Sequence, residues 1–175
     1  ATQQAQIRLA ALQNTLPALL SNWMKSPPEI PQEYVLQEAA VILGRQGLPD
    51  ASRQVLEFLY SRQIETSTNP AAFLGLAEIR VKQGQTTQAV DLLRRLNRIS
   101  AVPFEHLLAS SRILSGNGHA VEAEEFLRLR VQAVPWDSEA RLELAKALLA
   151  ANRQRDVAAQ NLQTLVSSTT VPYDI

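Results

Sequence analysis

Along most of this chain the apolar residues are spaced as they are on one face of an α-helix. Val90, Leu93 and Leu96 recur at intervals of three, and Val55 is followed four positions later by Leu59. Such spacing gathers apolar side chains into a stripe that a helix can bury against a neighbour. No stretch alternates between apolar and polar residues strictly enough to indicate a strand. The pattern therefore predicts an all-α protein.

The stripes predict eight helices arranged as four consecutive pairs. The first helices of the pairs are expected at about 32–45, 70–83, 103–116 and 137–151. The second helices are expected at about 49–62, 86–98, 119–132 and 153–166. A short turn within each pair is typical of antiparallel helical hairpins.

Each predicted turn contains a residue type that tolerates a positive φ. These residues are Gly47, Gly84, Gly118 and Asn152, which stand 37, 34 and 34 positions apart. Glycine and asparagine are favoured just after a helix end because that position often takes a left-handed conformation. The fixed interval indicates one structural unit repeated four times.

Small residues mark where the two helices of each unit are expected to cross. Seven positions before the turn residues lie Ala40, Ala77, Ser111 and Ala145. Five positions after them lie Ser52, Ala89, Ala123 and Val157, of which only Val157 is not small, although Ala158 adjoins it. A small side chain at a crossing allows two helix axes to approach closely.

This spacing resembles the tetratricopeptide repeat, a family of 34-residue helix-turn-helix units, over roughly residues 32–168. Leu93 and Leu127 fall at the family's large apolar site on the second helix, and Pro135 lies where the family usually ends a unit. Arg80 and Arg141 stand where the family prefers large apolar groups, which leaves a related solenoid of helical hairpins as the alternative. The resemblance implies a right-handed solenoid of antiparallel helix pairs.

Proline followed by an aromatic residue marks three unit boundaries, in Val102-Pro103-Phe104, Val134-Pro135-Trp136 and Val171-Pro172-Tyr173. Proline suits the first turn of a helix, whose N–H groups are unpaired anyway. Asn69-Pro70 has the same role with a capping residue in front, and Thr86 and Asp137 are further predicted caps. The predicted repeats are 32–69, 70–102, 103–136 and 137–171, and 172–175 begins a possible further repeat.

The last boundary motif is followed only by Asp174 and Ile175, so we expect the chain to be a segment of a longer repeat protein. An uncapped last hairpin exposes the apolar side that is meant for its neighbour. We therefore expect self-association through a C-terminal face that contains Val157, Leu162, Leu165 and Val166.

Residues 1–31 do not follow the repeat. Residues 3–14 and 16–24 are helical in composition, and Pro17 should end or kink the first helix or begin a second one. Residues 26–31 contain three prolines and are expected to form a stiff, extended connector. The segment is either a cap of the array or the tail of an earlier repeat.

Composition narrows the range of functions. The 175 residues carry 17 basic and 17 acidic side chains, so net charge gives no reason to expect binding to nucleic acid or to a membrane surface. No apolar run is long enough for direct membrane insertion. The absence of cysteine excludes disulfides and thiol chemistry and is compatible with either the cytoplasm or the periplasm.

Catalytic groups are scarce. The two histidines are His106 and His119, and His119 with Glu122 supplies only two of the three or four ligands that a zinc site needs. An exposed histidine near a turn is the simpler interpretation. We predict no catalytic residues, no metal site and no cofactor.

The resemblance implies a concave groove lined by the first helix of each repeat, where the family binds an extended peptide or a partner's helix. The projected groove positions are Tyr34, Gln37, Glu38, Val41, Leu74, Glu78, Val81, Glu105, Leu108, Arg112, Glu139, Leu142, Glu143 and Lys146. The family's site for a C-terminal carboxylate uses lysines and asparagines, but Gln37, Leu74, Leu108 and Leu142 stand at those places. Chaperone-tail capture is therefore not expected.

Two functions are consistent with the sequence. The first is a non-catalytic protein–protein interaction scaffold that binds a peptide or a partner protein through the groove. The alternative is a regulatory or substrate-presenting module of a larger enzyme or of a secretion or assembly machine, whose chemistry lies outside this segment.

Overall fold

The computed structural model describes residues 2–25, 30–100, 103–150 and 152–169. The described residues are largely helical and contain no strand, which confirms the all-α fold class. The helices are α1 (Gln3–Leu12), α2 (Leu16–Lys25), α3 (Glu33–Arg45), α4 (Pro49–Thr66), α5 (Pro70–Lys82), α6 (Thr86–Ile99), α7 (Leu107–Ser115), α8 (Ala120–Ala133), α9 (Ser138–Ala150) and α10 (Arg155–Thr169). A 3₁₀ turn at Pro103–His106 precedes α7.

The chain divides into two compact units, Ala1–Ile79 and Arg80–Ile175. In the first unit α1 packs against α3, α2 against α4, and α3 against α4. Pro17 lies in the first turn of α2, so it begins a second helix as one of the sequence interpretations proposed. The predicted connector at 26–31 falls largely outside the described residues.

The core of the first unit is continuous from the N-terminal helices to the hairpin of α3 and α4. Ile7, Leu36 and Leu59 are fully buried within it. Its aromatic part is Trp23 of α2 with Phe58 of α4, whose ring centroids are 6.3 Å apart. The N-terminal segment therefore packs as a further helical hairpin, and its role as a cap or as an earlier repeat stays a prediction.

The turn residues have the backbone conformation that the sequence predicts. Gly47, Gly84 and Gly118 have φ values of 76°, 75° and 86°, and Asn152 has φ 51°. At the first of these turns the Leu48 N–H donates to the Leu43 carbonyl at 3.0 Å. This bond from beyond the helix end pairs a carbonyl that the helix leaves without a partner.

The predicted crossing positions are buried. Ala40, Ala77, Ser111 and Ala145 are at most 1% exposed. In the first hairpin the Ser52 hydroxyl donates to the Ala40 carbonyl at 2.7 Å. The small side chain therefore allows close approach and also forms a hydrogen bond between α3 and α4.

The fourth hairpin differs from the prediction by one residue. Ala158 is fully buried, whereas Val157 is only partly buried. The reason is that α10 begins three residues after its turn residue, whereas α8 begins two residues after Gly118. The added residue moves the buried small position from Val157 to Ala158.

In the second unit α7 packs against α8, α8 against α9, and α9 against α10. The Asp137 carboxylate accepts the Ala140 N–H at 3.0 Å and thereby caps α9, as predicted. The prediction for Thr86 is wrong, because the cap position of α6 is Gln85, which makes no side-chain cap bond. Thr86 instead lies 3.1 Å from His119 through its hydroxyl and the Nε2 atom.

Candidate partner-binding surfaces

The first surface is the solvent-facing side of α3. Tyr34 is 60% exposed and Val41, two helical turns further on, is 53% exposed. Gln37 and Glu38 lie between them and are also exposed. Glu38 accepts a 2.6 Å hydrogen bond from the Gln4 amide of α1. The α3 surface therefore combines two large apolar groups with hydrogen-bonding groups.

The predicted groove positions on α5 are less accessible. Glu78 is exposed, Leu74 is partly buried, and Val81 is buried. The prediction for Val81 is therefore wrong. Helix α5 is apolar on most of its circumference, because Phe73, Leu76, Ala77 and Ile79 are buried as well. A helix that is apolar all round is covered on more than one side.

In the second unit the predicted groove charges are paired with each other. The Arg112 guanidinium of α7 contacts the Glu139 carboxylate of α9. Lys146 and Glu143 form a second pair on α9 at 2.9 Å. Glu105 is exposed, Leu108 is partly buried and Leu142 is 37% exposed. The side of α7 and α9 that these residues form is called the α7–α9 surface.

A pocket lies on another side of the second unit, between α6, α8 and the start of α7. Its volume is about 460 Å³. Buried Leu107 and Phe126 form its floor, and the more exposed Phe104, Leu129 and Ala133 form its walls. Arg94, Asn97, Arg98 and Glu125 complete the lining. We call this feature the α6–α8 pocket.

Arg130 fixes the aromatic wall of the α6–α8 pocket. Its guanidinium donates to the Phe104 carbonyl at 2.9 Å and lies over the Phe104 ring, 5.9 Å from the ring centroid. The same guanidinium donates to Asp137 at 2.6 Å. Burial opposes ionisation of Asp137, but bonds from the Ala140 N–H and from Arg130 lower its pKa below the usual value.

The polar part of the pocket contains one closed ion pair and two groups without partners. Arg94 donates two hydrogen bonds to Glu125, at 3.0 and 2.6 Å, and these bonds raise the pKa of Arg94. Arg98 is exposed and has no ion-pair partner within the part of the chain that is described. The side-chain amide of Asn97 is buried, and neither its nitrogen nor its oxygen has a hydrogen-bond partner there.

The α6–α8 pocket has no signature of its own in the sequence. Arg94 and Arg98 are ordinary charged residues of a helix, and Phe104 belongs to the boundary motif Val102-Pro103-Phe104, which the start of a repeat explains. Only the packing of α6 against the 3₁₀ turn, and of that turn against α8, brings them together.

The two predicted titratable neighbours of the third hairpin lie close together without further ligands beside them among the described residues. His119 Nδ1 lies 4.0 Å from Glu122, and no group of three potential metal ligands occurs within residues 2–25, 30–100, 103–150 and 152–169. None of the helices in those ranges combines the length and the hydropathy that a membrane span requires.

The chain matches no family model and no curated protein sequence. Its fold, however, is similar to solved structures of helical repeat proteins. A crystal structure of MamA aligns with TM-score 0.57 at 15% identity, covering 98% of this chain and 92% of MamA. The TPR-like repeats of a protein from Podospora anserina assigned as a kinesin light chain align with TM-score 0.57 at 20% identity, covering 95% and 92%. At these identities the similarity shows the fold, which is TPR-like.

Proposed function

We propose that this protein is a non-catalytic interaction scaffold. It binds a peptide or a segment of a partner protein through the solvent-facing sides of the first helices of its repeats. The TPR-like fold supports an interaction module, because repeat arrays present extended surfaces to partners. The contact residues proposed are those of the α3 surface in the first unit and of the α7–α9 surface in the second.

The observation that carries the proposal is the α3 surface. Helix α3 buries Leu36, Ala39, Ala40 and Leu43 on one side. On its other side Tyr34 and Val41 remain exposed, although both would gain from burial. Exposed tyrosine beside hydrogen-bonding groups is typical of residues that dominate binding energy at interfaces.

We propose that the α7–α9 surface fixes the alignment of a bound segment along the helices. Because Arg112 and Glu139 neutralise each other across two helices, they present a fixed dipole and no net charge. A polar partner group can pair with that dipole, while Leu142 beside it offers an apolar contact. Complementary charges of this kind favour one alignment of the partner over others more than they raise affinity.

Selection of peptides followed by mapping of their contacts tests the proposal. Random peptides displayed on phage are selected against the full chain, and a selected peptide is titrated into ¹⁵N-labelled protein. We expect the backbone amide signals of α3, or those of α7 and α9, to shift in a saturable manner. The proposal would be contradicted if the selected peptides shifted only the amide signals of α4, α8 and α10, or if no peptide could be selected.

A further inference from the structure

We propose that the α6–α8 pocket is a second docking site, which receives a large apolar side chain from an extended protein segment with an acidic residue two positions further on. This inference rests on the proposed function only in taking a protein segment as the ligand. The site is formed by the second helices α6 and α8 with the 3₁₀ turn and the first residue of α7, and it contains none of the residues assigned to the α3 and α7–α9 surfaces.

The apolar part of the pocket fits the side chain. A volume of about 460 Å³ falls within the range of about 300–1,000 Å³ found for pockets that hold ligands. The floor formed by Leu107 and Phe126 is buried and close-packed, so it provides a fixed base. Phe104 is held in place by Arg130, and this rigid wall suits an aromatic or large aliphatic group.

The positive charge of Arg98 at the rim of the pocket favours a ligand with an acidic residue near its anchor. Arg94 is already neutralised by the two hydrogen bonds to Glu125. Arg98 lies one helical turn after Arg94 and has no ion-pair partner among the described residues. A carboxylate on the ligand would pair with Arg98 without displacing an existing bond.

The side-chain amide of Asn97 favours a peptide over a fatty acid, which also combines an apolar group with a carboxylate. Both of its amide atoms lack a partner within the described ranges, so turning the side chain toward the pocket breaks no hydrogen bond there. The amide needs one acceptor for its nitrogen and one donor for its oxygen. An extended residue offers its own C=O and N–H side by side, as in a hydrogen-bonded pair of an antiparallel sheet. A fatty acid offers acceptors only and would leave the Asn97 oxygen unpaired.

The spacing of the two ligand residues follows from extended geometry. Side chains two positions apart point to the same side of an extended chain and are separated by about 7 Å. An anchor in the pocket therefore leaves the side chain of the next-but-one residue within reach of the rim, which Arg98 lines.

The probes for the test are two synthetic pentapeptides and decanoate. The acidic probe is acetyl-Gly-Phe-Gly-Glu-Gly-amide, the basic probe has lysine in place of glutamate, and decanoate represents a lipid carboxylate. Each is titrated into the full ¹⁵N-labelled chain. We expect shifts at residues 94–98, 104–107 and 125–133, with the acidic probe binding at least about fivefold more tightly than the basic one, as one ion pair provides.

Three variants sharpen the test. Arg98→Glu should reverse the preference between the two peptides, whereas Arg8→Glu, an exposed arginine of α1, makes the same change in net charge and should have no effect. Asn97→Leu should weaken both peptides while leaving the melting temperature unchanged or higher, because it removes a buried unpaired amide. If Asn97 had a purely structural role, its replacement by leucine would instead lower the melting temperature.

Several results would overturn the inference. They are equal binding of the two peptides, decanoate binding that is tighter and insensitive to Asn97→Leu, and no shift at about 10 mM probe, where a millimolar Kd would be visible. A peptide selected on the α3 surface serves as the reference for the proposed function. If that peptide binds the wild-type chain while the pocket probes do not, the docking site alone is wrong; if no peptide binds the first-helix surfaces either, the proposed function is wrong as well.

Discussion

The third hairpin, α7 with α8, and the fourth hairpin, α9 with α10, follow one sequence plan but differ at the turn. Gly118 has φ 86° and α8 starts two residues later, whereas Asn152 and Gln154 have φ 51° and 47° around a turn that is one residue longer. In both hairpins the small buried residue, Ala123 or Ala158, comes three residues after the first residue of the second helix. The contact register is therefore set from the start of the helix and not from the turn residue.

The two hairpins also differ at their entrance, which here means the residues just before the first helix of each hairpin. Phe104 and Trp136 both follow a Val-Pro pair, yet Phe104 is 41% exposed and Trp136 is 81% exposed. Arg130 contacts the ring and the carbonyl of Phe104, and this contact accounts for its place in the pocket wall. The same motif thus supplies a pocket wall in one hairpin and an exposed aromatic side chain in the next.

The largest expected effect comes from enlarging the small contact residues. Ala145→Leu and Ala158→Leu should each lower the free energy of unfolding by about 1–3 kcal/mol, because both alanines are fully buried. Ala77→Leu should behave similarly. The matched control Ala159→Leu, at an exposed position of α10, should stay within about 0.5 kcal/mol. Denaturant titration measures these differences, and equal stability of Ala158→Leu and the parent would refute the shifted register.

The next effect concerns the cap of α9. Asp137→Ala should cost about 0.5–2 kcal/mol through the lost cap bond, and the lost hydrogen bond from Arg130 adds to this cost, as measured by thermal melting. Since α6 and α8 start without a side-chain cap bond, Gln85→Ala should cost less. An effect of Gln85→Ala as large as that of Asp137→Ala would show that the cap bond is not the cause.

The Asp137 pKa also predicts a dependence on pH. Because folding lowers this pKa, the carboxylate contributes its full stability above its unfolded pKa of about 3.9 and loses it as the pH falls through the lower folded value. Asp137→Asn should remove that part of the acid sensitivity. Parallel stability–pH curves for the parent and Asp137→Asn below about pH 4 would contradict this assignment.

A smaller effect separates the two turns. Gly118→Ala should cost about 1–2 kcal/mol, because a Cβ is unfavourable in the left-handed region. Asn152→Ala should cost less than that: Asn152 already carries a Cβ there, so the variant loses only its preference for this conformation and the hydrogen bond that its Oδ1 accepts from Arg155 at 2.8 Å. Melting temperatures of the two variants give the comparison, and the reverse order would mean that the longer turn depends on Asn152 for another contact.

The smallest effect is expected at the entrance. Trp136→Ala should change the free energy of unfolding by no more than about 0.5 kcal/mol, because most of the side chain is in solvent. Phe104→Ala should be clearly destabilising, as it removes the ring contact with Arg130. If Trp136→Ala is as destabilising as Phe104→Ala, the two entrances are more alike than their exposures indicate.

The features of the fold that depend only on residues close together in the sequence were predictable from it. The positive φ values at Gly47, Gly84 and Gly118 and the cap at Asp137 follow from local propensity and spacing, whereas several helix limits differ from the predicted ones by up to four residues. The shift to Ala158 was not predicted, because Gln154 is an unusual residue for a left-handed position and gives no turn signal.

The surfaces were harder to predict because they depend on contacts between helices. Val81 lies at a projected groove position, but it is buried because α5 is apolar on most of its circumference. Arg112 and Glu139 were both expected on the groove, and only the packing of the second unit shows that they neutralise each other. The α6–α8 pocket requires three separate elements and has no single sequence signal.

The central claim, that first-helix surfaces bind a protein segment, is tested most directly by calorimetric titration of a selected peptide whose binding shifts the amide signals of α3. Tyr34→Ala should weaken binding by about 30-fold, which corresponds to about 2 kcal/mol and is typical of an interface hot spot. Val41→Ala should weaken it less, while Val121→Ala on α8, whose side chain is 52% exposed against 53% for Val41, should leave affinity unchanged. Wild-type affinity in both Tyr34→Ala and Val41→Ala, or a loss in Val121→Ala equal to theirs, would contradict the account.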